Sequence, residues 1–170
     1  MFFRRKAKKN LGEELMIKCA DYGKDMALQV LSALTTYTTP ITNAGLEKEN
    51  RELKLLYVFL LYQQSEEIMG DLGIFGDSLV FSFSDCLGVD TALENYIKKD
   101  KLYKHAYFTP SDLNRYYYLG KELCRIVSGD TSQDEVLMFT KMISDIANAN
   151  LGVLISVKRE AEMIRSDLVL

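Results

Sequence analysis

Proline occurs at only two of the 170 positions of this chain, Pro40 and Pro110. A proline inside an α-helix removes a backbone hydrogen bond and clashes with the preceding turn, so long proline-free stretches are free to be helical. The stretches around the two prolines also carry apolar residues in steps of three and four, which is the spacing of one helix face. Proline scarcity and apolar spacing together predict an all-α fold.

Composition and length indicate a single domain. The chain is 48% hydrophobic and 26% charged, as in ordinary globular proteins, and 170 residues suit one domain with a substantial core. The segment Leu53–Tyr62 is apolar on nearly all sides, which is typical of a helix surrounded by others. We therefore expect residues 11–170 to form a single-domain bundle of five to seven helices with a central buried helix.

Capping residues predict the bounds of the first two helices. Asn10 is a good N-cap for the first helix, and Pro40 must end it. The second helix is expected to follow Thr42 or Asn43. It should end near Gly70, because glycine readily adopts the left-handed conformation that terminates helices.

Residues 70–88 are open to two interpretations. Phe81 and Phe83 alternate with serines, as in a short strand, but the apolar residues around them also satisfy a helix. We favour a short buried helix capped by Asp77. A further short helix is expected over residues 90–99, with Asp90 as its cap.

Two capping motifs predict the last helices. Thr109-Pro110-Ser111-Asp112 places a cap, a proline and an acid where a helix N-terminus prefers them. Ser132-Gln133-Asp134-Glu135 is a second such motif, and a nearly seven-residue apolar repeat follows it over 132–166. The repeat favours one continuous helix rather than a break at 148–152. It also places Asn150 at a seam position, where a buried amide can fix register or support a homo-oligomer.

Charge is distributed unevenly along the chain. Residues 1–10 carry five basic groups and no acid, which predicts a flexible basic arm that contacts solvent, an anionic membrane surface, nucleic acid or another subunit. Residues 11–95 hold five basic and fourteen acidic groups, whereas residues 96–125 hold seven basic and three acidic groups. Such segregation bears on the choice of partner rather than on the fold.

The chain has few residues suited to catalysis. Cys19, Cys86 and Cys124 are too far apart for a zinc or dithiol motif, and free thiols are typical of a cytoplasmic protein. The single histidine, His105, lies in a lysine-rich segment that we interpret as a solvated loop. No apolar run approaches the roughly 20 residues that a transmembrane helix needs. We therefore expect no catalytic residue, no cofactor and no membrane span.

Two acidic pairs support an alternative, enzymatic interpretation. Glu49 and Glu52 are three residues apart, and Glu67 and Asp71 are four apart. In an all-helical chain this spacing resembles the all-helical nucleotide pyrophosphohydrolases, including the dimeric dUTPases, in which paired acidic helices hold Mg²⁺ against a triphosphate. The family pattern differs in having a double glutamate where Lys48-Glu49 stands and a glutamate in place of Ile68.

Helix geometry counts against that alternative. If residues 46–69 form one helix, Glu52 and Glu67 are separated by about 22 Å along its axis. Two carboxylates at that separation cannot share a metal ion, and no helix-breaking residue lies between them. Solvated acidic faces at the two ends of one helix are the simpler interpretation.

The remaining signal is a concentration of tyrosines and basic residues. Six of the ten tyrosines fall between positions 96 and 118, interleaved with lysines. Tyrosine gives large contact areas at protein interfaces, and lysine beside aromatic rings also suits single-stranded nucleic acid. The acidic chain as a whole favours a protein partner. The predicted partner-binding residues are Tyr96, Lys98, Lys99, Lys101, Tyr103, Lys104, Tyr107, Arg115 and Tyr116.

These patterns predict a small non-enzymatic protein that acts by binding another macromolecule. Inhibitors, immunity proteins, chaperones and adaptors of bacteria or phages are of this general type. A magnesium-dependent pyrophosphohydrolase and a nucleic-acid-binding module are the alternatives. In the binding hypotheses the contact surface is expected around residues 96–118, although the acidic residues of 11–95 could equally cover a basic partner.

Overall fold

The computed structural model of the chain describes residues 2–36, 43–91, 94–129 and 131–166. These residues form α-helices and one turn of 3-10 helix, and none of them lies in a β-strand. The predicted all-α class is therefore confirmed. The helices are α1 (Phe2–Thr36), α2 (Asn43–Met69), α3 (Gly73–Leu87), α4 (Glu94–Phe108), α5 (Tyr117–Val127) and α6 (Gln133–Ser166), with the 3-10 turn (Gly70–Leu72) between α2 and α3.

The hydrophobic core is one continuous cluster to which every helix contributes. In α2, every residue of the segment Leu55–Leu61 is buried. This helix packs against α3, α4, α5 and α6, so its apolar residues meet neighbours on several sides. Burial of this much apolar surface is the main favourable term that holds such a bundle together.

Two glycines allow helices to approach closely. A Cβ atom at Gly23 of α1 would lie 3.0 Å from the backbone nitrogen of Phe83 in α3. A Cβ atom at Gly120 of α5 would lie 2.8 Å from the backbone nitrogen of Thr140 in α6. Backbone atoms in a helix cannot move aside cheaply, so both contacts require glycine.

The first two helices agree in part with their predicted bounds. The predicted start of α1 at Asn10 is wrong, because the helix begins at Phe2. The contacts expected of a basic arm at residues 1–10 stay a prediction. Pro40 and the side chains of residues 1–10 lie outside the described residues. The start of α2 at Asn43 is confirmed, and its end is followed by Gly70, whose φ of 52° is left-handed.

The region 70–88 is helical, as favoured. However, α3 begins at Gly73 rather than at Asp77, and it ends where Gly88 adopts a φ of 68°. Helix α4 extends to Phe108, well beyond the predicted end at Lys99. The interpretation of His105 as a loop residue is therefore wrong, although its side chain is exposed.

The predicted helix start at Thr109–Asp112 is wrong, since α5 begins at Tyr117. The Thr109 hydroxyl donates to the carbonyl oxygen of His105 at 2.8 Å, so this threonine caps the end of α4 instead. Asn114 then accepts a hydrogen bond from the backbone N–H of Tyr116 at 2.8 Å. Proline is common just after a helix as well as in its first turn, and here it serves the former role.

Helix α6 is unbroken through residues 148–152, as predicted. Asn150 is buried and donates from Nδ2 to Oε1 of Gln64 at 3.1 Å. Gln64 in turn donates from Nε2 to the carbonyl oxygen of Ala147 at 3.0 Å. These bonds fix the register of α6 against α2 within one chain, whereas an oligomer through α6 stays a prediction.

Candidate functional site

The predicted tyrosine anchors lie in the core rather than on the surface. Tyr103, Tyr107 and Tyr116 are exposed by only 0%, 3% and 6%. The rings of Tyr103 and Tyr107 pack against Phe59 of α2, with centroids 5.7 and 6.0 Å away. A ring covered by its own chain offers a partner no contact area, so the prediction that these three tyrosines are surface anchors is wrong.

Tyr103 connects α4 to α2 through a buried polar contact. Its hydroxyl donates to Oε2 of Glu52 at 3.1 Å, and Nζ of Lys99 lies 3.0 Å from the same oxygen. Burial, reinforced by the neighbouring carboxylate, raises the pKa of Tyr103 well above its ordinary value. Lys99, another predicted contact residue, is thus an internal ion-pair partner of Glu52.

Arg115 has a similar internal role. Its guanidinium donates to the Glu67 carboxylate at 2.9 Å and to the Tyr107 hydroxyl at 2.6 Å. It also lies 4.7 Å from the centroid of the Tyr107 ring, within the range of a cation–π contact. Arg115 therefore holds the connection between α4 and α5 against α2 through one guanidinium nitrogen, while its side chain stays partly exposed.

The exposed basic residues of the predicted site lie along α4. Lys98, Lys101 and Lys104 are exposed. An open depression of about 490 Å³ lies beside them, and its lining includes Lys101, Lys104, His105, Phe108, Thr109 and Pro110. Phe108, which lines this depression, is 56% exposed. We call Lys98, Lys101, Lys104 and Phe108 the lysine face.

Tyr96 belongs to a different surface. It lines a cavity of about 310 Å³ between α2, α3 and α4, together with Tyr62, Asp77, Val80, Phe81, Ser84, Thr91 and Asp100. We call this cavity the aromatic groove. The sequence did not predict this groove, because most of its lining residues come from three separate helices. A local signal existed only for Asp77 and Phe81, which are four residues apart on one face of α3.

The acidic residues of the enzymatic alternative are dispersed. Glu52 contacts Tyr103 and Lys99, Glu67 pairs with Arg115, and Asp71 lies 3.8 Å from Arg165. The side chain of Glu49 is outside the described part of the chain. Among the described side chains, no three histidine, cysteine or acidic groups are grouped to hold a metal ion. Because α2 is continuous, Glu52 and Glu67 are also about 22 Å apart along it.

The cysteines have no evident chemistry in the described structure. Cys19 and Cys124 are buried, Cys86 is partly buried, and none of the three is joined in a disulfide. Burial raises the pKa of Cys19 to about 11, which keeps this thiol protonated and unreactive near neutral pH.

None of the described helices combines the length and apolar character that crossing a membrane requires.

Comparison of the chain with protein-family models, curated proteins and solved structures finds no significant match to any of them.

Proposed function

We propose that this protein acts by binding another protein, and that the lysine face of α4 contacts an acidic surface of that partner. The observation that carries the proposal is the combination of exposed lysines with an exposed phenylalanine beside an open depression. Lysine supplies the charge that selects an acidic partner, and the aromatic ring supplies apolar contact area. We further propose that it works in the cytoplasm as an inhibitor or adaptor.

The buried tyrosines support this proposal in a way that differs from the sequence prediction. Tyr103 and Tyr107 pack α4 firmly against Phe59 of α2, which we take to be the central helix of one domain. A helix fixed in this way presents its exposed side chains without losing further backbone freedom on binding. Preorganisation of this kind favours affinity.

The experiment uses a photo-crosslinking amino acid at position 104 or, as a control, at Lys24 on α1. The full chain is irradiated in extract of its native host, with and without nuclease. We expect an acidic protein to be crosslinked from position 104 and not from position 24. Its capture should be lost in the double variant Lys101→Glu/Lys104→Glu and should be insensitive to nuclease.

A matched double variant, Lys24→Glu/Lys141→Glu, makes the same charge change on α1 and α6. It should retain the crosslink. Both doubles should unfold within about 1 kcal/mol of the wild type, because the Lys24–Asp21 and Lys141–Asp145 pairs that the control reverses lie on the surface. Equal loss of crosslinking in both doubles would contradict the proposal. Loss on nuclease treatment, with a steep dependence on salt, would favour the nucleic-acid alternative instead.

A further inference from the structure

The aromatic groove combines exposed rings with carboxylates. Phe81 of α3 is 72% exposed, and Tyr62 of α2 and Tyr96 of α4 line the same cavity. Asp77 and Asp100 lie in the same lining. The faces of aromatic rings carry partial negative charge and attract organic cations, more strongly where carboxylates are close.

The tyrosines of the groove remain neutral. The Tyr62 hydroxyl donates to Oε1 of Glu66 at 2.8 Å, and this bond is the main cause that raises the pKa of Tyr62 to about 12. Burial raises the pKa of Tyr96 as well, with a further contribution from the Asp100 carboxylate. At neutral pH, the rings therefore offer uncharged faces, and carboxylates supply the negative charge.

The groove continues along α3 into a second depression of about 340 Å³. The two share Phe81, Ser84 and Thr91, and the second one adds Asp85 and Asp90. No lysine or arginine occurs in the described lining of either cavity. The combined surface therefore has acidic residues in both halves and an exposed ring between them.

The spacing of these acids suggests the shape of the occupant. Asp77 and Asp85 are eight residues apart on α3, which corresponds to about 12 Å along the helix axis. In an extended peptide, residues four positions apart lie on the same side and are separated by about 13 Å. Of two basic side chains with that spacing, one would reach Asp77 in the aromatic groove and the other would reach Asp85 in the second depression.

We propose that the aromatic groove binds an extended, basic segment of a partner protein, with two lysine or arginine side chains four residues apart on either side of Phe81. The occupant is inferred from charge complementarity and from the rings. This surface differs from the lysine face in location and in the sign of its charge. The inference therefore does not depend on the function proposed for that face.

Synthetic peptides titrated into the full chain test the inference by calorimetry. One peptide carries two lysines four positions apart in a Thr/Val-rich extended sequence, the second carries them two positions apart, and the third has glutamine in place of both. We expect the first to bind at least about tenfold more tightly than the second, because only its charges match both halves. The third should not bind measurably.

Variants of the protein locate the binding. Phe81→Ala and the double variant Asp77→Asn/Asp100→Asn should each weaken the first peptide by about tenfold. Ile74→Ala, a truncation of another exposed apolar side chain on α3, and Asp21→Asn on α1 should leave the affinity unchanged. Equal affinity for the first two peptides, or loss in Ile74→Ala matching that in Phe81→Ala, would overturn the proposal.

Two other occupants give different results. A free amine such as spermine that binds as tightly as the first peptide would overturn the commitment to a peptide segment. A second copy of this chain, inserting its own basic residues 1–10, would give concentration-dependent dimers in sedimentation that disappear on removal of those residues. That outcome would also overturn the assignment of a separate partner.

Discussion

The two halves of α4 present opposite surfaces. In the first half, Tyr96 and Asp100 line the aromatic groove, whereas Lys101, Lys104 and Phe108 of the second half line the open depression. Lys98, the remaining member of the lysine face, lies in the first half and is also exposed. Each surface has one exposed phenylalanine beside charges of one sign, although the groove is a concave site and the lysine face is open. The density of tyrosines along the chain did not indicate an exposed surface, because Tyr103, Tyr107 and Tyr116 are buried. Both candidate surfaces were found instead from an exposed phenylalanine beside charges of one sign.

Removal of a core tyrosine should destabilise α4 and therefore affect both the aromatic groove and the lysine face. Tyr103→Ala removes a fully buried ring between α4 and α2 and leaves the Glu52 carboxylate without its hydroxyl donor. We expect the free energy of unfolding, measured by urea denaturation, to fall by about 3–5 kcal/mol. Tyr103→Phe keeps the ring, so its free energy of unfolding should fall by much less. A Tyr103→Ala protein as stable as the wild type would show that the ring is not part of the core.

A larger side chain at the contact between α1 and α3 should affect binding at the aromatic groove but not at the lysine face. Gly23→Ala places a methyl group against the backbone of α3, the helix that carries Phe81. We expect a loss of about 1–3 kcal/mol in unfolding free energy. Binding of the basic peptide should weaken while crosslinking from position 104 persists.

Gly12→Ala is the matched control for that change. Gly12 also lies in α1, but a Cβ atom there meets nothing within 4 Å. Alanine favours the helix over glycine, so this variant should be as stable as the wild type or slightly more so. A similar loss in both variants would mean that the α1–α3 contact is not the cause.

Stability at alkaline pH, compared between the wild type and Tyr103→Phe, tests whether Tyr103 is buried and neutral. The folded-state pKa of Tyr103 is raised, so its contribution to stability is complete below its unfolded pKa of about 10 and is lost as pH rises above it. Between pH 10 and 12, one such group lowers the unfolding free energy by about 1.4 kcal/mol per pH unit. Chemical denaturation of Tyr103→Phe should show a slope that is shallower by that amount, and an unchanged slope would contradict the buried, neutral state of Tyr103.

The smallest effect is expected at the exposed ring of the groove. Phe81→Ala removes a side chain that is mostly in solvent, so its unfolding free energy should stay within about 0.5 kcal/mol of the wild type. Binding of the basic peptide should nevertheless fall. A large loss of stability would place Phe81 in the packing of the bundle and remove the distinction from Tyr103.

Helix positions could be predicted where the signal was local and long. The start of α2 at Asn43 and the unbroken course of α6 followed from caps and apolar repeats that span many turns. The Thr109–Asp112 motif failed because the same residue types end one helix as readily as they begin another. There, the bond from Thr109 to His105 decided the outcome.

The candidate site was harder to predict than the fold. Tyr96, Tyr103 and Tyr107 are seven and four residues apart, which is the spacing of one helix face, so their burial had a local signal. The bond between Arg115 and Glu67 joins residues 48 positions apart, and no local pattern reveals such a pair. The aromatic groove likewise exists only once α2, α3 and α4 have packed.

The amide pair between α2 and α6 constrains how this sequence can change over generations. Asn150 donates to Gln64 inside the core, so replacing either one alone leaves a buried polar group without this partner, at a cost of about 1–3 kcal/mol. Replacing both by apolar residues of similar shape is nearly neutral by the same reasoning. Paired substitutions at Asn150 and Gln64 should therefore be tolerated better than a single substitution at either position.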